Sequence, residues 1–153
     1  MARRTSRTRT PAPVSARPAE GSPCLCGSGQ EYGACCGPLH AGHSAAPTAE
    51  RLMRSRYAAF ARHDADYLLR TWDASTRPPR AELRFDPALR WTGLEILGAT
   101  DGGPFHSAGT VEFRAHWTDA GGPGVLHELS RFRRDPAGAW VYLDGDIREA
   151  GGR

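Results

Sequence analysis

Lysine and asparagine are missing from the 153-residue chain, and all 20 of its cations are arginine. Together with 18 Gly and 12 Pro, that bias reads as a GC-rich, bacterial coding background and not as a functional signal. No segment approaches the ~18 consecutive apolar residues that a membrane span needs. No apolar stretch follows Arg3-Arg4, so a twin-arginine leader is not expected, and an amphipathic transit peptide lacks its apolar face. Mean hydropathy is −0.53, and a soluble, cytoplasmic protein is expected. A strongly basic body is absent as well. Residues 1–20 hold five Arg against Glu20, a charge of +4, which leaves the other 133 residues at −1 with 15 Arg against 16 acids. Nucleic acid, which is held through many phosphate contacts, is therefore not the expected partner.

The chain divides by composition. Residues 1–22 mix Arg, Thr, Ser, Pro and Ala and cannot bury enough surface to offset ordering entropy, so a disordered Arg-rich arm is expected there. All four cysteines lie within residues 23–40. A helix then follows Thr48 as N-cap with Glu50 in its first turn, and Ala49, Leu52, Met53, Tyr57 and Phe60 share one face as far as Arg62. Asp64 caps a second, short helix carrying Tyr67, Leu68 and Trp72, which Arg77-Pro78-Pro79 ends. Strands are expected over 89–97, 110–118, 125–134 and 139–147, with Gly121-Gly122-Pro123-Gly124 as a loop and Asp135-Pro136-Ala137-Gly138 as a turn. Two helices followed by an antiparallel meander make an α+β layer, with helices packed on one face of a sheet.

The cysteines run Cys24-x-Cys26, eight residues, then Cys35-Cys36. Four thiolates suit a tetrahedral Zn²⁺, and a full S₄ set leaves no open position, so the expected site is structural. Gly27 and Gly29 permit the tight turn that chelation by near neighbours needs, and the spacer holds one helical turn that returns Cys35 and Cys36. Disulfides, free thiols and an iron–sulfur cluster are the alternatives. A Cys35–Cys36 bridge would be strained, and nothing indicates secretion. His40 and His43 are spare ligands. Arg54 and Arg56 follow the module, and two readings are open for them: they offset the negative charge of the cluster, or they form a solvated helix face. Because so short a module builds no core of its own, chelation is expected to unfold residues 23–38 and spare the rest.

Cys24-Leu25-Cys26-Gly27-Ser28-Gly29 and Cys35-Cys36-Gly37 resemble the SEC-C zinc motif, known from the C-terminus of the bacterial preprotein translocase motor ATPase, where it contacts a chaperone. Leu25 stands where family examples often carry Pro, and the lysines that follow Ser-Gly in them are absent. Beyond the motif, Gly37-Pro38-Leu39-His40 and Ala46-Pro47-Thr48-Ala49-Glu50-Arg51-Leu52-Met53-Arg54-Ser55-Arg56-Tyr57 resemble the YchJ family of small bacterial proteins. Trp91-Thr92-Gly93-Leu94, Val111-Glu112-Phe113-Arg114-Ala115 and Trp140-Val141-Tyr142-Leu143-Asp144-Gly145 extend the likeness over roughly residues 22–147. The resemblance implies a SEC-C module over 23–40 and a nuclear-transport-factor-2-like domain over 48–148, a cone of helices against a curved sheet. It also implies a protein partner for the zinc module, hence an adaptor role. The alternative is a small-molecule-binding or enzymatic cone of the ketosteroid-isomerase-like type, which rests on fold analogy.

A pocket is expected from strand register. With a two-residue turn at Pro136-Ala137, Phe132 faces Val141, Ser130 faces Leu143 and Glu128 faces Gly145. Pairing Trp117 with Leu126 then aligns Val111, Phe113, Ala115, Leu126, Glu128, Ser130 and Phe132 on one face, under the helices. A carboxylate there is costly unless paired or wetted. Glu128, Ser130 and Tyr57 are thus the candidate pocket residues, and a structural pair of Glu128 with Arg56 is the plainer reading. A one-residue slip would instead turn His127 and Arg131 inward. The four tryptophans are read as core or rim aromatics.

Overall fold

The structure, a computed structural model, describes residues 21–148. Apart from Gly21 and Ser22, the arm expected over 1–22 lies outside the described residues. A 3₁₀ turn at Tyr32–Ala34 leads into α1 (Cys36–His40), followed by α2 (Ala49–Ala61) and α3 (Ala65–Arg70). Four strands follow: β1 (Arg90–Asp101), β2 (Ala108–Asp119), β3 (Gly122–Arg134) and β4 (Trp140–Arg148). They form one curved antiparallel sheet in the order β1-β2-β3-β4, with the helices on one face. The architecture is α+β. Among the described residues no helix is long and apolar enough to cross a membrane.

Local chemistry sets the helix starts. Thr48 Oγ1 accepts from the Arg51 amide at 3.1 Å, and Asp64 Oδ1 accepts from the Tyr67 amide at 3.1 Å; each cap satisfies a donor with no partner inside its helix. The second helix is shorter than the sequence suggested. It ends at Arg70, ahead of Trp72, because the next backbone groups pair with an edge strand. Tyr142 N donates to Thr71 O and Asp73 N donates to Tyr142 O, both at 2.8 Å. Thr76 Oγ1 then donates to Leu143 O at 2.6 Å, so residues 71–76 cover the edge of β4.

The sheet curves where its edge strands carry extra residues. Bulges in β1 fall between Trp91 and Gly93 and between Ile96 and Gly98; a bulge in β4 falls opposite Arg131 and Phe132. The central β2–β3 ladder is unbroken from Ala108↔Arg133 to Asp119↔Gly122. Each bulge bends its strand and adds twist, and the β1 bulge leaves Leu97 41% exposed. The Gly121–Gly124 loop of the sequence reading is a tighter hairpin, since β3 begins at Gly122. Gly124 sits under the Trp117 ring, where a Cβ would come within 2.2 Å of Cζ2.

Register departs from expectation while the choice of face survives. Phe113 pairs with Glu128 and Val111 with Ser130, two residues from the expected alignment, so every side chain keeps its face. The last hairpin has a three-residue loop with Gly138 at φ 87°, a type I turn closed by a left-handed glycine. Phe132 therefore pairs with Tyr142 and not Val141. The bulge at Leu143 adds a second slip, so Ser130 faces Gly145 and Glu128 faces Ile147. His127 and Arg131 lie on the outer face, where they pair with Glu112 (2.7 Å) and Asp144 (2.5 Å).

The core is continuous across the cysteine segment and the cone. Cys24, Cys26, Cys35 and Cys36 pack in one buried cluster with Leu52, Met53, Tyr57, Val111, Phe113 and Phe132. The module is thus not a separate knob with the metal as its only core. It shares its buried surface with α2.

Candidate metal centre and cone pocket

The four cysteines converge as their spacing predicts. Gly27 and Gly29 take φ of 77° and 84°, which lets the chain reverse directly after Cys26, and Cys24 N donates to Gln30 O at 2.8 Å to close the knuckle. The 3₁₀ turn and α1 then return Cys35 and Cys36. All four Sγ atoms lie within 4.8 Å of one another and all four residues are buried. The Cys26–Cys35 and Cys35–Cys36 Sγ separations are 3.6 and 3.9 Å. A tetrahedron with metal–sulfur bonds of about 2.3 Å has an edge of about 3.8 Å, so this donor set fits a four-coordinate metal. A disulfide needs about 2.05 Å, and all four cysteines are free.

Crowding sets the thiols against one another. Hydrogen bonds from Cys24 and Cys36 hold the Cys26 thiol far below the usual thiol range. Its bond to Cys26 pushes Cys24 up to about 11, and bonds to Cys24 and then Cys26 push Cys36 higher still. Cations from α2 meet the cluster. Arg51 Nη1 donates to Cys35 Sγ at 3.2 Å and its Nη2 to Cys35 O at 3.3 Å, while Arg54 Nη1 donates to Cys26 O at 2.9 Å. Arg51, and not Arg56, therefore partners Arg54 at the cluster, because residues three apart share a helix face and residues two apart do not. His40 is committed elsewhere. Its Nε2–H donates to the Ser55 carbonyl at 2.8 Å, which leaves Nδ1 to accept from Tyr32 Oη and Arg62 Nη1, each at 2.8 Å. Burial lowers its pKa, in keeping with a neutral ring. His43 is exposed and outside the cluster.

A cavity of about 250 Å³ lies between the helices and the concave face of the sheet. Its walls are apolar, with Met53, Tyr57 and Phe60 from α2, Trp91 from β1 and Phe113 from β2 among them. Into it face Glu128, Ser130, Tyr142, Trp72 and Arg56. Ser130 Oγ donates to Glu128 Oε2, and Tyr142 Oη donates to the same oxygen at 3.4 Å. The carboxylate needs space over a glycine: a Cβ on Gly145 would come within 2.7 Å of Glu128 Cδ. Burial and the nearby carboxylate push the Tyr142 hydroxyl up to about 12.

Arg56 is 5% exposed. Its guanidinium carbon lies 4.9 Å from the Trp72 ring centre and 4.8 Å from that of Tyr142. Nη1 donates to Leu68 O and Thr71 Oγ1, both at 2.8 Å. Burial pulls its pKa down to about 10, a fall the Glu128 charge partly opposes. No direct ion pair joins Arg56 to Glu128 among the described residues; the expected structural pair is replaced by two charges sharing one cavity. Trp72 Nε1, also buried, has no hydrogen-bond partner among the described residues.

Comparison with known proteins accounts for this arrangement as a family plan. Residues 22–38 match the model of the SEC-C motif, and residues 48–145 match that of the middle, NTF2-like domain of YchJ. The chain belongs to the YchJ family. A UPF0225 protein of Streptomyces avermitilis is 55% identical over 146 residues, spanning 95% of this chain and 99% of that protein. A UPF0225 protein of Streptomyces coelicolor is 58% identical over 82% of this chain and 95% of its own length. Two solved structures are similar. A SEC-C motif containing protein from Rhodopseudomonas palustris has a TM-score of 0.69 at 37% identity, covering 84% of this chain and 100% of that one. Another from Psychrobacter arcticus has a TM-score of 0.63 at 28% identity, covering 84% and 82%.

Of the pocket residues expected from sequence, all three line the cavity of this YchJ-family chain, but they do not form one group. Glu128 and Ser130 are joined by a hydrogen bond. Tyr57 contributes a wall against Trp91, with ring centres 6.0 Å apart. The tyrosine whose hydroxyl reaches Glu128 is Tyr142, which sequence reasoning missed by one residue of register. Gly138 carried the signal, since a glycine closing Asp-Pro-Ala favours the three-residue loop. Trp72 and Trp91, read as core or rim, belong to the cavity wall.

Proposed function

We propose that this YchJ-family chain is a zinc-stapled small-ligand-binding protein of the reducing bacterial cytoplasm, in which Cys24, Cys26, Cys35 and Cys36 hold a structural Zn²⁺ and the cone binds a small molecule. The carrying observation is Arg56: a cation 5% exposed at the wall of an apolar cavity, with both of its hydrogen bonds among the described residues made by Nη1. Buried charge is costly unless something uses it, and an apolar pocket with a few converging polar groups is the usual form of a ligand site. Zinc is supported by an all-thiolate donor set near tetrahedral spacing. The organisation into arm (1–22), module (23–40) and domain (48–148) belongs to the same reading, with the module and domain sharing one core.

The test is NMR titration of the zinc-loaded full chain with a set of neutral one- and two-ring compounds. Shifts of the Trp72 and Trp91 indole N–H signals are expected; no shifts, or shifts confined to residues outside the cavity, refute the reading.

A second reading keeps the zinc module as an adaptor for a protein partner. Leu25, 43% exposed between two cysteines, and the SEC-C match favour it. Under that reading Leu25→Asp abolishes capture of the partner while zinc content stays unchanged; capture that survives the substitution removes it.

A further inference from the structure

The polar groups of the cavity restrict what the cone can hold. Arg56 supplies one positive charge and Glu128 one negative charge to the same low-dielectric space, so the site is already balanced. A charged ligand would leave one of the two uncompensated, and an isolated buried charge is heavily penalised. Donors and acceptors are also separated. The Nη2 and Nε groups of Arg56 make no hydrogen bond among the described residues. Glu128 Oε2 is engaged by Ser130 and Tyr142, and Oε1 makes no hydrogen bond among the described residues. One side of the cavity lacks an acceptor and the other lacks a donor. The remaining wall is aromatic and aliphatic, with Tyr57, Trp91 and Phe113 prominent. A cavity of ~150 Å³ admits benzene; one of about 250 Å³ admits a larger ring system.

We infer that the cone recognises an uncharged one- or two-ring compound bearing an acceptor beside a donor, as in a lactam edge, with the C=O directed to Arg56 and the N–H to Glu128. This rests on the ligand-binding reading above. The geometry assigns separate roles. Arg56 reads the acceptor, Glu128 reads the donor, and Ser130 and Tyr142 orient the carboxylate by holding its other oxygen. The rings of Tyr57 and Trp91 supply contact area without regard to polarity.

Four probes of similar shape separate the elements: 2-quinolinone (neutral lactam), naphthalene (no polar edge), 2-naphthoate (anion) and 2-naphthylammonium (cation). Binding to the zinc-loaded full chain is followed by Trp fluorescence and by the Trp72 indole N–H signal. 2-Quinolinone is expected to bind at least about tenfold more tightly than each of the others, the factor that one well-placed hydrogen bond supplies. Arg56→Met and Glu128→Leu should each reduce the preference for 2-quinolinone over naphthalene severalfold. A purely structural role would weaken both probes alike. If Glu128→Leu does not fold, Arg56→Met alone decides. Equal affinity for naphthalene, tighter binding of either ion, or an unchanged ratio in the variants overturns the ligand class and leaves the pocket reading standing. Binding of no probe overturns both.

Discussion

Replacing Arg56 by Met asks whether the buried cation stabilises the fold. Burial lowers the guanidinium from its ordinary value to about 10; at 1.36 kcal/mol per pH unit, this amounts to about 3 kcal/mol against the charged state. The substitution removes that penalty. It also forfeits the two Nη1 hydrogen bonds, about 1.5 kcal/mol each, and the two ring contacts, about 1 kcal/mol together. The balance is a net loss of about 1 kcal/mol, a fall of about 3–5 °C in Tm for a domain of this size. Met preserves chain length and apolar volume, so little cavity is created. Urea unfolding of zinc-loaded wild type and Arg56→Met at pH 7 measures the difference. A loss of 3–5 kcal/mol, the range seen when a structurally paired buried charge loses its partner, would refute the reasoning and make Arg56 a scaffold residue. A near-neutral result, together with loss of 2-quinolinone binding, supports a cation retained for its ligand.

Purified protein should contain about one Zn²⁺ per chain, and Co²⁺ substitution should give the intense visible and near-ultraviolet bands of a tetrahedral tetrathiolate; absence of stoichiometric metal in reducing buffer sinks the centre. Chelation should lower Tm of the whole chain in a single transition, since the cysteines share a core with α2; a separate early transition limited to 23–38 would show an independent module. Gly124→Ala should destabilise by about 1–3 kcal/mol in urea unfolding, because its Cβ would enter the Trp117 ring; an unchanged midpoint contradicts the packing. Asp73 accepts from Arg133 Nε and Nη2 at 2.7 and 2.9 Å, and these bonds, with those from Ser75, hold its carboxyl well below the usual range. Its contribution is therefore complete above the unfolded carboxylate pKa of about 4 and is lost as pH falls further toward the folded value. The Tm advantage of wild type over Asp73→Asn should be full at pH 6 and shrink at pH 3; a constant gap refutes the linkage.

What the sequence disclosed was local or periodic. The Thr48 and Asp64 caps act on amides three residues away, so residue type and position sufficed to place both helix starts. The converging cysteines were legible because chelation by near neighbours depends on short spacing and on two glycines beside it. The concave face followed from period two alone, since Val111, Phe113 and Ala115 keep their side of the sheet whichever even register is chosen. Resemblance to the YchJ family supplied the cone itself, and the matches over 22–38 and 48–145 bear it out.

Tertiary structure decided the rest, for reasons of geometry that a linear pattern does not carry. Tyr142 faces the cavity because the left-handed Gly138 shifts β4 by one residue, and a one-residue shift exchanges the faces of a strand; the bulge at Leu143 shifts it again and brings Gly145 beneath Glu128. Arg51, Arg54 and Arg56 look alike in sequence. Their destinations, two at the cysteines and one in the cavity, depend on which arc of α2 meets each neighbour. Trp72 became a cavity wall because the backbone on either side of it pairs with the edge of β4 some 70 residues later. The sequence by itself determined which residues prefer the interior and where the four cysteines gather. Only packing decided which interior groups meet, because register, bulges and helix rotation are settled by contacts between segments far apart in the chain.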